Sequence, residues 1–547
     1  MFLREMHLIS YLEKKRQHIE NIIIVYPYTY INPYFVPPPI AAEYLQAGIV
    51  ETGRKASLFD MRYETDIEAY LKSADLVCIY GYFEDCAIFG KWKYHVIDEV
   101  LNQVPEDIPI LAGGTGFSDP DETFARYPQI DVIIRGNPET PIMEILEDRA
   151  FESIKNLAYR AGGKIVCSER VIHQLTDHIY PRRHLRNPKY DYHAVGIKVD
   201  MIRAGVGCNY TCRFCYQYGK DIDGGHRRWQ GRSAQSLFNE MKEIEAPIIG
   251  WVDDDMTQSM ENLGKLADLL IKNRVRKLYA GTGRLDHVNK SDPETLEKLE
   301  KSGLLALSFG VESLKKKTLQ FYAKGQKLED IEKAMRLMQK TNILLGCSFI
   351  LGSPGETEQD MMDMLWFGRK WNIDTLVTNR LRVPRDTHLF RQIYDQNETV
   401  RPGMERLQGR ELARIKYKIK FGQRTPLRLI LSLLKLYRHR GMFIDPLYLL
   451  FSALESAIKY TWLEKTLILP ALLWLAKKTV TLPGFRHFSR LLAVLITPLV
   501  RALNWLFELV DKKLQISTSL IPGILLFYKH RVYSKQISRA QIKDDHA

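Results

Sequence analysis

Residues 199–216 read Val-Asp-Met-Ile-Arg-Ala-Gly-Val-Gly-Cys-Asn-Tyr-Thr-Cys-Arg-Phe-Cys-Tyr. The opening run, Val199 to Arg203, has the length and apolar character of a buried strand, and Cys208, Cys212 and Cys215 follow it in one tight loop. A strand that delivers a chemically loaded loop from its carboxyl end is the unit of a parallel β/α barrel.

Toward the carboxyl side the same unit recurs. Strands are predicted at Ile248 to Val252, Lys277 to Gly281, Ala306 to Val311, Leu344 to Leu351 and Thr375 to Thr378. Helical patterns lie between them, among them Ala234 to Ile244, Glu261 to Ile271, Leu328 to Lys340 and Asp360 to Lys370. Six β/α units in about 190 residues predict a partial (β/α)6, TIM-like barrel over residues 198–390, with function on the loops after the strands.

Toward the amino side, Asn21 to Val25, Ala56 to Phe59, Leu76 to Tyr80, Ile108 to Ala112 and Val132 to Arg135 read as strands. Helical patterns at Ile40 to Thr52, Ile67 to Ser73 and Trp92 to Val104 alternate with them. Such alternation predicts a Rossmann- or flavodoxin-like parallel sheet with helices on both faces, over residues 1–165, followed by a linker at 166–197. The fold class is therefore α/β, and 547 residues suit several domains.

Residues 391–547 differ. Beyond Pro426, Leu-rich helical faces carry basic punctuation: Leu427 to Tyr437, Leu447 to Tyr460, Leu467 to Lys478 and Phe488 to Leu514. None offers 18 uncharged apolar residues in a row; Arg501 stops one run, and Lys477 with Lys478 stops another. A helical region lying on a membrane interface is the leading reading, with a soluble helical cap and a true span as the alternatives. The formal charge of +13, concentrated here among apolar stretches, points to an anionic membrane surface at the inner face. No zinc finger, helix-turn-helix or RNA-recognition signature accompanies it, so nucleic acid is not an expected partner.

The seven cysteines form no regular disulfide framework. Met1 to Glu20 mixes charged with apolar residues and reads as no secretory signal, so a cytoplasmic setting with reduced thiols is expected. In the C-x3-C-x2-C spacing, three thiolates can cap three irons of a [4Fe-4S] cube and leave the fourth iron open. Zinc usually wants a fourth Cys or His nearby, and the first one downstream is His226. The cluster is favoured, with zinc and metal-free cysteines as the alternatives. Cys347, inside a predicted strand, reads as a small buried hydrophobe.

The motif resembles the signature of the radical S-adenosylmethionine (SAM) superfamily, including the aromatic Phe214 before the last cysteine. The resemblance implies that the open iron chelates SAM, and that an electron from a donor such as flavodoxin or ferredoxin cleaves it to a 5′-deoxyadenosyl radical. It also implies roles at other strand ends. Trp251-Val252-Asp253-Asp254-Asp255 looks like the place that receives the SAM amino group, through Asp253 or Asp254; a helix cap at Asp255 is the plain alternative. Arg284 would pair with the SAM carboxylate, Glu312 and Ser313 would meet the ribose, and Gly352 would let backbone approach the adenine. The plain alternatives are a buried ion pair for Arg284 and Glu312, a cap for Ser313 and turn chemistry for Gly352. No catalytic side chain is assigned.

The amino-terminal layer resembles cobalamin-binding domains fused ahead of such barrels, over about residues 21–165. Phe35 to Ile40 with three prolines, Gly113-Gly114-Thr115, Arg135 to Thr140, and the bridge from Asn156 to Ile165 carry that likeness. Gly113 and Gly114 would lie against the corrinoid. The class's D-x-H-x-x-G motif is missing: Gly81 to Cys86 holds no histidine. The resemblance implies cobalamin-dependent methylation of an unactivated carbon. A radical SAM oxidoreductase, cyclase or rearrangement enzyme and a non-catalytic membrane-associated scaffold are the alternatives. The apolar tail suggests a small substrate that is lipid-like or membrane-borne.

Overall fold

The structure, a computed structural model, describes residues 16–27, 37–80, 92–114, 117, 119–171, 175, 177–194, 197–215, 229–383, 387–422 and 468–480, and single residues at 495, 498, 499 and 502. The chain divides into two compact units. The first comprises Met1–Thr211, Cys215–Gly281 and Lys301–Gly303; the second comprises Cys212–Phe214, Thr282–Glu300 and Leu304–Ala547.

The first unit begins with a seven-stranded sheet. Its strands are β1 (Asn21–Tyr26), β2 (Lys55–Asp60), β3 (Leu76–Tyr80), β4 (Ile110–Gly113), β5 (Val132–Ile134), β6 (Leu157–Ala161) and β7 (Lys164–Cys167). They lie in the order β2-β1-β3-β4-β5-β6-β7, with β1 to β5 parallel and β6 and β7 antiparallel. The order 2-1-3-4-5 is that of flavodoxin-like sheets, whose ligands sit beyond the strand carboxyl ends at the switch between β1 and β3.

Both faces of the sheet are covered because its strands are apolar on both sides. Ile22, Ile24, Leu76, Cys78 and Tyr80 pack with Leu45 and Ile49 of α1 (Ile40–Glu51). Ile23, Val25, Val77 and Ile79 pack on the other face with residues of α3 (Trp92–Leu101) and α4 (Pro120–Arg126), beyond the short α2 (Glu68–Leu71). The helix α5 (Glu139–Leu146) joins the first face through Ile142, Ile145 and Leu146.

The hairpin β6–β7 was read from sequence as a bridge into the barrel. It turns through Gly162 and Gly163 at φ +57° and +73°, the left-handed pair that a two-residue hairpin needs.

The second sheet starts with β8 (Tyr192–Ala194) antiparallel to β9 (Ile197–Ile202). A two-stranded ribbon of β10 (Gly205–Val206) and β11 (Gln230–Gly231) brackets the cysteine loop. The parallel strands continue with β12 (Ile248–Trp251), β13 (Leu278–Gly283), β14 (Leu304–Glu312), β15 (Leu344–Leu351) and β16 (Thr375–Arg380), and the order is β16-β15-β14-β13-β12-β9-β8. The intervening helices are α6 (Ala234–Glu243), α7 (Met260–Lys272), α8 (Leu285–Lys290), α9 (Pro293–Ser302), α10 (Lys316–Phe321), α11 (Leu328–Met338), α12 (Glu358–Lys370) and α13 (His388–Ile393). Strands β9 and β12 to β16, each followed by helix, are the six units of a partial (β/α)6 barrel.

After α14 (Gly409–Gly422), the helix α15 (Ile468–Val480) covers the predicted segment Leu467 to Lys478. Leu427 to Tyr437, Leu447 to Tyr460 and most of Phe488 to Leu514 lie outside the described residues. Among the described residues, no helix is long and apolar enough to cross a membrane.

Within the first unit the sheet-bearing layer is tied to the first barrel strands by a buried network of charges. Arg186 donates to Glu43 of α1 at 2.5 and 2.7 Å and to Asp200 of β9 at 2.9 and 3.0 Å. Arg183 bridges Asp200 and Glu240 of α6 at 2.9 and 2.8 Å, and Arg232 pairs with the same Glu240. Burial raises the Asp200 carboxyl, but Arg183 and Arg186 outweigh it and hold the group below the usual carboxylate value.

Candidate active site

Strand β9 ends at Ile202, and the polypeptide from Arg203 to Cys215 leads into the cysteine loop. Cys208 and Cys215 are partly exposed, Cys212 is buried, and none of the three is in a disulfide. Among the described residues, no three His, Cys, Asp or Glu side chains form a ligand set for one metal ion. A [4Fe-4S] cube asks something different, since each thiolate takes its own iron.

The donor set fits such a cube. Hydrogen-bond donors stand at two of the sulfurs: Gln258 Nε2 lies 3.5 Å from Cys208 Sγ, and Arg284 Nη1 lies 4.0 Å from Cys212 Sγ. Donors of this kind stabilise anionic sulfur.

The three aspartates after β12 separate by environment. Asp253 is buried and its Oδ1 accepts from the Ala204 backbone N–H at 2.8 Å, which ties the end of β12 to the residue after Arg203. Burial pushes its carboxyl up to about 7 from an ordinary 3.8, with the Ala204 N–H opposing. Asp254 is exposed. Asp255 is an N-cap, accepting from Thr257 N–H at 3.0 Å and from the Thr257 hydroxyl at 2.6 Å, and so shapes the short turn Met256–Ser259 that carries Gln258.

In the second unit, Arg284 is already engaged. Its Nε donates to Asp286 Oδ1 at 3.0 Å, and its Nη2 reaches the Lys324 carbonyl at 2.7 Å. The fork that the resemblance offered to a SAM carboxylate is thus turned to Asp286, two residues along, with Nη1 toward Cys212. Glu312 ends β14 with a left-handed φ of +67°, after an irregularity in strand register, and pairs with Lys324 Nζ at 3.0 Å. A Cβ at Gly310 would stand 2.4 Å from Glu312 Oε1, so a side chain there would displace the end of this ion pair.

Ser313 is buried and its hydroxyl donates to Glu356 at 3.1 Å. Phe214 packs edge-on against Tyr322 at 5.0 Å between ring centroids, and the Lys324 ammonium lies 5.9 Å from its ring. Gly352 has φ +82°, and the space a Cβ would need is held by the Leu407 carbonyl and Leu412, both at 2.9 Å. Its close contact is therefore with this chain's own backbone. Cys347 is fully buried in β15, where burial pushes its thiol up.

At the carboxyl ends of the first sheet, Gly113 lies under Tyr80: a Cβ there would sit 2.8 Å from that ring. Gly114 follows with φ +96°, and the Tyr80 hydroxyl donates to the Gly136 carbonyl at 3.2 Å. Thr115 and Gly81 to Cys86 lie outside the described residues.

Two residues beside this edge were missed by sequence reading. Arg203 pairs with Glu139 and lies over the Tyr44 ring at 3.7 Å, while the Tyr44 hydroxyl donates to the Arg203 carbonyl at 3.2 Å. The loop Arg135 to Thr140 thus sends its acid to the end of β9. The signal was the charge on Arg203 at the end of an otherwise buried strand.

The Radical SAM superfamily profile matches residues 202–367. An "uncharacterized methyltransferase" of Pyrococcus horikoshii is 24% identical over 356 residues, spanning 62% of this chain and 74% of the relative. The anaerobic magnesium-protoporphyrin IX monomethyl ester cyclase of Cereibacter sphaeroides is 24% identical over 327 residues, or 56% of this chain; the match spans only about half of that relative, 52%.

Among solved structures, the radical SAM methyltransferase TsrM of Kitasatospora setae, with cobalamin and a [4Fe-4S] cluster bound, aligns with a TM-score of 0.59 at 17% identity, covering 76% of this chain and 96% of its own. The cobalamin-dependent radical enzyme OxsB, with aqua-cobalamin bound, aligns at 0.58 and 14% identity, covering 94% and 84%. At such identities these likenesses show the fold. Residues 202–367, with the cysteine loop at the end of β9, are thus similar to the Radical SAM superfamily, and the flavodoxin-like sheet ahead of them completes a fold like those of TsrM and OxsB.

Proposed function

We propose that this radical SAM enzyme uses cobalamin to methylate an unactivated carbon. The observation that carries the reading is the joining, in one chain, of a 2-1-3-4-5 parallel sheet with glycines at its carboxyl edge to a radical SAM domain with three cysteines, none in a disulfide, after its first strand. When bound, the cluster supplies the electron that opens SAM, and the corrinoid supplies a transferable methyl group.

Cys208, Cys212 and Cys215 would hold the cluster. Asp253, buried at the end of β12, would receive the SAM ammonium, since a carboxylate is the natural partner of that cation. Glu312 and Ser313 would face the ribose. Arg284 would act on the Cys212 sulfur while Asp286 holds it in place. Gly113 and Gly114 would border the corrinoid, with Tyr80 as the aromatic wall above Gly113. Electrons would come from a small carrier such as flavodoxin or ferredoxin.

Helix α15 exposes Leu472, Trp474 and Leu475, and Lys478 lies 4.3 Å from the Trp474 ring. An apolar face edged by a basic residue suits a membrane surface and a membrane-borne substrate.

Anaerobic purification with supplied cobalamin, followed by corrinoid and product-mass analysis, tests the proposal. Bound corrinoid and a product heavier by one CH2 support it. The likeness to the cyclase favours a second reading, radical oxidation or cyclisation without methyl transfer. Deoxyadenosine released without a methylated product would favour that reading and count against methylation.

A further inference from the structure

Gln258 lies on the turn Met256–Ser259, after β12, and has no counterpart in the motif reading. Its Nε2 lies 3.5 Å from the Cys208 sulfur. Which end of a side-chain amide faces a sulfur is decided by its hydrogen-bond network. Here the network has a fixed starting point.

The backbone N–H of Trp229, which can only donate, gives its hydrogen to Asn209 Oδ1 at 2.9 Å. Asn209 must then present its NH2 group elsewhere, and Nδ2 donates to Gln258 Oε1 at 3.1 Å. With its oxygen so occupied, Gln258 has only its NH2 left to turn to Cys208. Asp255 caps the same turn, and the Gln258 N–H reaches the Asp255 carbonyl at 3.4 Å, so the backbone beneath the amide is held as well.

We infer that Gln258 is a positioning residue for the cluster: it delivers an N–H···S hydrogen bond to the Cys208 thiolate, and the relay from Trp229 through Asn209 fixes its orientation. This rests on the cluster reading above. An N–H donor at a ligand sulfur stabilises the more negative, reduced cluster and so raises its reduction potential. The couple concerned takes one electron from an external reductant and leaves every Fe–S bond in place. SAM cleavage begins from that reduced state, so Gln258 sets how readily the carrier can charge the cluster.

The test is an EPR-monitored redox titration of the anaerobically reconstituted full chain, beside Gln258→Leu and Asn209→Leu. Iron and sulfide are measured on each sample. Gln258→Leu is expected to keep about four irons per chain and to shift the midpoint to more negative potential. Asn209→Leu keeps the donor but frees its orientation, and a smaller shift in the same direction is expected; it carries the test if Gln258→Leu does not fold. Equal potentials in the wild type and both variants, all with the full cluster, would overturn the inference and leave the cluster reading standing. A wild-type chain that takes up no iron would overturn both.

Discussion

Asp253 and its two neighbours are the same residue type in succession, and only their surroundings give them different work. Alternation along a strand end sends Asp253 inward and Asp254 out, while Asp255 turns back to cap. The acidic cluster was legible in the sequence, with a cap at Asp255 as the plain alternative, but the other two could not be divided, because burial just past a strand's end depends on what packs over it. The Asp253 carboxyl is raised to about 7 by burial, so the folded protein holds that proton more tightly than the unfolded chain. Its stability contribution is therefore greatest below the unfolded value and is lost as pH rises from about 4 through about 7.

Asp253→Asn keeps an acceptor for Ala204 but cannot ionise. It should flatten the thermal-stability profile in that window and gain up to about 4 kcal/mol at pH 8, from about three pKa units at about 1.4 kcal/mol each. Identical melting profiles for variant and wild type from pH 4 to pH 8 would refute this. Arg284 shows the opposite limit of legibility. Its charge and strand-end position were plain, but its partner two residues away, Asp286, was in view and was not weighed as the partner.

Elements with continuous apolar runs were legible. Leu76 to Tyr80 is buried along its whole length, as a central parallel strand must be, and its bounds were read correctly. The segment β6–β7 was read as a bridge and not as a hairpin although the signal was present: Gly162-Gly163 between two short β-rich runs is turn chemistry, but β7 is largely exposed and lacks the apolar run of a core strand. The buried charges joining α1, β9 and α6 were not legible, because Glu43, Arg186 and Asp200 are far apart in sequence and no local pattern pairs them.

Arg186→Leu takes from buried Glu43 its guanidinium partner and leaves Asp200 with Arg183 alone, and should cost about 3–5 kcal/mol in chemical denaturation. A loss under about 1 kcal/mol would show that the network does not tie these elements. At the sheet edge, Gly113→Ala places a methyl group within 2.8 Å of the Tyr80 ring and should cost about 1–3 kcal/mol by overpacking. If Gly113 borders the corrinoid, cobalamin retention on a desalting column should fall in parallel, and full retention would contradict that placement.

At the scale of the whole molecule, the α/β class, the parallel layer and the six barrel units followed from spacing, since both halves repeat a strand and a helix. The carboxyl-terminal region resisted such reading because an apolar face with basic edges suits a membrane interface and a helical cap alike. Deleting the residues after Pro426 should release the protein from anionic liposomes in co-sedimentation. Unchanged binding would refute surface attachment through this region.

The central claim is that three thiolates from one loop hold an iron-sulfur cube. Anaerobic reconstitution of the wild type beside the triple Cys208→Ala, Cys212→Ala, Cys215→Ala variant measures it directly. The account predicts about four irons and four sulfides per chain with charge-transfer absorption at roughly 400 nm, all lost in the variant. A wild-type chain that binds a single zinc, or iron retained equally by the triple variant, would contradict it.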